Sequence, residues 1–99
     1  MDHPNLTALR EEIDRVDREL IAVLAKRFEL TRMVGDYKAQ QDLSAVDSVR
    51  EQEQSNNYAQ AAQAYGLNTE FVHHLFQSIR SEVVKNHRAT RAQQKHNAE

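Results

Sequence analysis

Three observations predict an all-α chain of three helices: one long, one short, one medium. Gly 2 and Pro 1 among 99 residues is far below the usual proportions of about 7% and 5%. β-Sandwiches and barrels need turn residues at close intervals, so they are excluded. From Leu6 onward, apolar residues recur at steps of three and four, the period of a helix face. No segment reads as a strand, and no internal repeat is present. The length fits one domain over residues 1–99, with a folded core at about 5–92 and a polar tail at 93–99.

The first helix is predicted over residues 5–40, with Asn5 as its N-cap. Leu6, Leu9, Ile13, Val16, Leu20, Leu24, Thr31 and Val34 form one broad stripe, as in a coiled-coil seam. Pairs such as Glu11 with Arg15 put charge on another face. Gly35 lies inside the helix at a cost of about 1 kcal/mol relative to Ala. At 1.5 Å per residue the helix is roughly 54 Å long. A compact domain of this size has a radius of gyration of about 13 Å. The rest of the chain cannot cover such a stripe, so a twofold homodimer with paired long helices is expected.

Residues 41–46 read as a loop. Asp47 or Ser48 caps the second helix, and Glu51 falls near its first turn, where a carboxylate is favoured. That helix runs to about Tyr65, and Gly66 suits the position just past its end. Its face is poor, with only Val49, Tyr58, Ala61, Ala62 and Tyr65 to bury, which predicts the least stable element. The third helix takes Asn68 as N-cap, with Leu67 and Val72 as a hydrophobic staple. Its stripe is Val72, Leu75, Phe76, Ile79 and Val83, and it is predicted to end near residue 92, with a fraying tail beyond.

Composition narrows the function classes. Lys and Arg total 13 and Asp and Glu 15, a net charge of -2, without the basic footprint of a nucleic-acid-coating protein. The cations are not interleaved with aromatics as in an RNA platform. There is no cysteine, so neither disulfides nor thiolate metal sites are available. No His, Asp and Glu set has metal-ligand spacing. A mean hydropathy of -0.80 and short apolar runs argue against a membrane span. Met1, Asp2, His3 and Pro4 lack the basic and apolar regions of a secretory leader. A cytoplasmic protein is expected. Phosphate-loop and serine-nucleophile motifs are missing as well.

Several residues sit out of place. Positions 20, 24, 27, 31, 34 and 38 fall within about 80° on a helical wheel, and Arg27 and Lys38 share that sector with Leu20, Leu24, Thr31 and Val34. A single cation there ordinarily snorkels, with its stem in the core and its charge in water. Two on one face point to an anion, and a bound carboxylate would supply it. Arg10 lies about 100° from Arg27, so it would serve a partner's pocket or stay solvated. Asp47, Arg50 and Glu51 stand at i, i+3 and i+4, a spacing that by itself gives a surface ion pair of about 0–1 kcal/mol. His87 follows Val83 by one turn. It reads either as a partly exposed end of the stripe or as a donor aimed into a pocket. The inventory offers cations and donors rather than an activated nucleophile.

The string LTALREEIDRVDRELIAVLAKRFELTRMVGDYK, then DSVRE, then GLNTEFVHHLFQSIRSEVVKNH, resembles the all-helical chorismate mutase family. The likeness covers about residues 6–90. Its pattern is L-R-x-x-I-D-x-x-D-x-x-L-x-x-x-L-x-x-R, then V-G-x-x-K, then D-x-x-R-E. The resemblance implies three helices per chain, intertwined in a homodimer with two active sites, acting on chorismate without metal or cofactor. It implies that Arg10 crosses over from the partner subunit and that Arg27 holds a substrate carboxylate. Lys38 would lie between a carboxylate and the ether oxygen, and Arg50 near the other carboxylate. Glu51 would accept from the ring hydroxyl, and Asp47 would support the start of the second helix. Two positions depart from the family pattern: Val83 where serine is common, and His87 where glutamine or a protonated glutamate donates to the ether oxygen. Imidazole still donates one N–H when neutral, and with full charge when protonated, so the role survives but depends on pH.

Other reactions on the same scaffold are isochorismate-pyruvate lysis and the 4-amino-4-deoxychorismate mutase reaction. A reading of another class is a non-catalytic helical dimer that regulates another shikimate-pathway enzyme. The joint presence of Arg27 and Lys38 in an apolar stripe speaks against that reading.

Overall fold

In a computed structural model the chain forms α1 (Pro4–Gln40), α2 (Ser48–Ala64) and α3 (Thr69–Ala98). The structure describes the backbone of residues 4–44 and 47–98 and the side chains of 5–44 and 47–93. Ala45 and Val46 of the expected loop therefore lie outside the described residues. All three predicted helices are present, and no strand occurs among the described residues. The chain divides into two compact units, Met1–Thr31 and Arg32–Glu99, with the division inside α1.

In the first unit the apolar stripe faces outward. Leu9, Ile13 and Leu20 are 61%, 57% and 55% exposed, and no described residue of this unit is buried. Leu24, Arg27, Phe28 and Thr31 are half-buried. Arg15 bridges Glu12 at 2.7 Å and Glu19 at 2.5 Å, rather than pairing with Glu11 as expected. Such exposed pairs contribute little. α1 begins at Pro4, so Asn5 is its second residue and not its cap. A proline suits that first position, because its missing N–H would be unpaired there anyway.

Among the described residues, the buried ones lie in the second unit: Gly35, Ala62, Val72, Ile79 and His87. Its helix ends follow from local chemistry. α1 closes with Leu43 N–H donating to the Lys38 carbonyl at 2.7 Å and Asp42 N–H to Ala39 at 3.2 Å. Asp42 takes the left-handed conformation, φ 55°, which Asp tolerates better than most residues. α2 ends in the same motif. Gly66, φ 69°, donates to Gln63 at 3.2 Å, and Leu67 donates to Ala62 at 2.8 Å. Asp47 caps α2 by accepting the Arg50 N–H at 3.0 Å, and Asn68 caps α3 by accepting the Phe71 N–H at 2.8 Å.

α2 packs on α3. Tyr58 stacks on Phe76 with ring centroids 3.8 Å apart and planes 15° from parallel. Val72 and Ile79 are buried and Phe76 and Val83 half-buried, while Leu75 is 41% exposed. Of the five residues expected to anchor α2, Ala62 is buried and Tyr58 half-buried, but Val49, Ala61 and Tyr65 are exposed. α3 continues through Ala98 rather than ending near residue 92. Residues 92–98 contain neither Gly nor Pro, so nothing local breaks the helix.

Candidate active site

In the first unit, Arg10 is exposed. Arg27 is half-buried, and its Nη1 nitrogen is fully covered. Thr31, one turn on, donates its hydroxyl to the Phe28 carbonyl at 3.1 Å.

The remaining candidates belong to the second unit. Lys38 is half-buried in the last turn of α1, where its own carbonyl anchors the turn that follows. Asp47, Arg50 and Glu51 do not behave as one ion-pair cluster. The Asp47 carboxylate is occupied as the α2 cap. The Arg50 guanidinium lies 3.9 Å from Glu53. Glu51, half-buried, lies 3.9 Å from Arg80 of α3. Adjacent helix positions point about 100° apart, so Arg50 and Glu51 take different partners. An open groove of about 470 Å³ is lined by Glu51, Arg80, Ser81, Val84, Lys85 and Arg88. Its cations would favour an anionic or neutral guest over a cationic one.

Among the described residues of the unit, His87 is the buried polar one, 7% exposed. The reading of it as a partly exposed end of the stripe is therefore overturned. Its ring lies against Gly35 of α1, so close that a Cβ at that glycine would lie 2.8 Å from Nε2 and 3.0 Å from Cγ. Lys38 is three residues beyond Gly35, on the same face of the helix. His87 thus packs on the face of α1 that carries Lys38. Val83, one turn before His87, is half-buried.

Two contacts were missed by sequence reasoning. Arg80 follows Phe76 by four residues and precedes Val83 by three, which puts a cation on the flank of the α3 stripe; that spacing was the available signal. Arg91 follows His87 by one turn and donates to the Leu43 carbonyl, tying α3 to the segment after α1. Its signal was equally local, a further cation on the face that carries His87. Among the described residues, no group of three or more His, Cys, Asp or Glu could hold a metal ion. Among the same residues, no helix is long and apolar enough to cross a membrane.

The three helices carry cations on and beside their apolar faces, and in the second unit a buried histidine packs against a glycine. The profile of chorismate mutase type II matches residues 9–88, and the chain belongs to that family. The chain is 34% identical over 77 residues to the T-protein of Enterobacter agglomerans, across 78% of this chain and 21% of that protein. It therefore spans about a fifth of the length of that curated relative.

Proposed function

We propose that this chain is a chorismate mutase, converting chorismate to prephenate by intramolecular rearrangement. The observation that carries the reading is the family match over residues 9–88, a span that includes every candidate site residue from Arg10 to His87. In the reaction the ether C–O bond breaks while a C–C bond forms, within one molecule. No proton need move and no covalent intermediate forms. What accelerates it is a bound near-attack geometry, with the enolpyruvyl arm folded over the ring. Fixed positive donors at the ether oxygen, where charge builds, add to that.

In this reading Arg27 and Arg50 grip the two carboxylates, with Arg10 supplied by the partner subunit. Lys38 and His87 donate to the ether oxygen, Glu51 accepts from the ring hydroxyl, Asp47 supports Arg50 from the cap, and Val83 lines the wall. The packing of His87 against Gly35, on the Lys38 face, supports the pairing of those two donors. Exposure of Leu9, Ile13 and Leu20 in the single chain supports an intertwined homodimer that covers the stripe. A cytoplasmic location and an unassisted, cofactor-free reaction belong to the same reading.

The test is a product assay. Purified protein is incubated separately with chorismate and with isochorismate, and prephenate, pyruvate and salicylate are resolved. Prephenate from chorismate is expected. Pyruvate and salicylate from isochorismate, with little prephenate, would move the chain to the lyase reaction. Neither product would favour a regulatory helical dimer. Sedimentation of the same sample is expected to give a dimer, and a folded monomer at micromolar concentration would refute the intertwined architecture.

A further inference from the structure

A glycine in the middle of a helix asks for a reason, and here the reason is a neighbour's ring. Gly35 is buried, five residues before the end of α1. A Cβ built on it would overlap Cδ2 of His87 and lie within 3.0 Å of Cγ and Nε2. Carbon atoms pack at about 3.5–4.0 Å, so the ring would have to retreat by about 1 Å. His87 is 7% exposed, and a buried ring in a close-packed interior has little free space to retreat into.

We propose that Gly35 is a positioning residue. Its missing Cβ is the socket that seats the His87 imidazole against α1, on the face that carries Lys38. Gly35 offers no side chain to a substrate; it acts through where it lets the ring lie. The catalytic consequence rests on the chorismate mutase reading, whereas the socket itself rests on the packing of two side-chain positions. A displacement of about 1 Å at a catalytic donor can cost as much as 100-fold in rate.

The test is a cycle of Gly35→Ala, His87→Ala and the double variant, alongside the parent. Prephenate formation gives kcat and KM, and NMR of the labelled imidazole reports the His87 environment without reference to activity. Gly35→Ala is expected to lower kcat by about 10-fold or more, within the range such a displacement allows, with a smaller change in KM and shifted His87 ring signals. In the His87→Ala background, the same change is expected to alter kcat by less than about twofold, because the overlapping ring is gone.

A kcat for Gly35→Ala within twofold of the parent would overturn the positioning role, as would an equal loss in both backgrounds, which marks a general structural effect. If Gly35→Ala fails to fold while the double variant folds, the overlap is confirmed as the cause; if neither folds, the socket is refuted. Should the parent make no prephenate, the chorismate mutase reading falls, and the His87 signals then decide the socket alone. Unmoved signals in Gly35→Ala would overturn it.

Discussion

Tyr58→Ala tests how α2 is held. Ala62 is the buried residue of α2, and Val49 and Tyr65 are 71% and 82% exposed. The stack of Tyr58 on Phe76, at 3.8 Å, is therefore a large side-chain anchor between α2 and α3. A fully buried aromatic ring removes about 150–250 Å² from water. Tyr58 is half-buried, so about 100 Å² is lost on truncation, roughly 2.5 kcal/mol at 25 cal/mol/Å². The stacked geometry adds about 0.5–1.5 kcal/mol. The expected total is about 3–4 kcal/mol, a large share of the stability of a domain this size. Urea denaturation of Tyr58→Ala, Phe76→Ala and the double variant measures it, with about 1 kcal/mol expected as the coupling between the two rings. Hydrogen exchange should rise first in α2, which carries Arg50 and Glu51, so substrate affinity should weaken along with stability. A cost below about 1 kcal/mol, or zero coupling to Phe76, would refute the claim that this stack anchors α2; the first limit sits well under the expected total and the second under the stacking contribution.

The other predictions concern the candidate site. Lys38→Ala should lower kcat by about 100- to 1,000-fold, the usual effect of removing a preorganised donor at a developing oxyanion; a rate within threefold of the parent would end its assignment, and Glu51→Gln should be milder. Asp47 holds the α2 cap at 3.0 Å, so Asp47→Ala should cost about 1 kcal/mol in thermal or urea unfolding, whereas Asp47→Asn should keep the cap. A loss of activity in Asp47→Asn without loss of stability would assign the carboxylate's charge to the site rather than to the helix.

The fold was largely legible because its signals are local. Asp47, Gly66 and Asn68 each act within three residues along the chain, so spacing alone reveals them. The expectations that failed are those that local rules leave open. Asn5 and Pro4 both suit a helix start, and the helix takes the proline as its first residue. α3 runs to Ala98 because a polar sequence without a breaker is as compatible with a solvated helix as with a frayed tail. Val49 and Tyr65 are apolar or aromatic, yet exposed, because periodicity says which face a residue shares and not whether anything packs on that face.

The site divides along the same line. Arg27 and Lys38 could be found from one helical wheel, because a cation in an apolar sector is a conflict within a single element. The pairing of Glu51 with Arg80 and the reach of Arg91 to Leu43 join residues about 30 and 50 positions apart, where no periodicity operates. Gly35 lies between the two cases. Its cost of about 1 kcal/mol relative to Ala was visible in the sequence, but its reason lies 52 residues away, in the ring of His87. A local penalty with no local benefit marks a position where tertiary structure overrides propensity. In this chain that position meets the buried ring of His87. The two residues are best understood as one feature: a ring accommodated by the absence of a side chain opposite it.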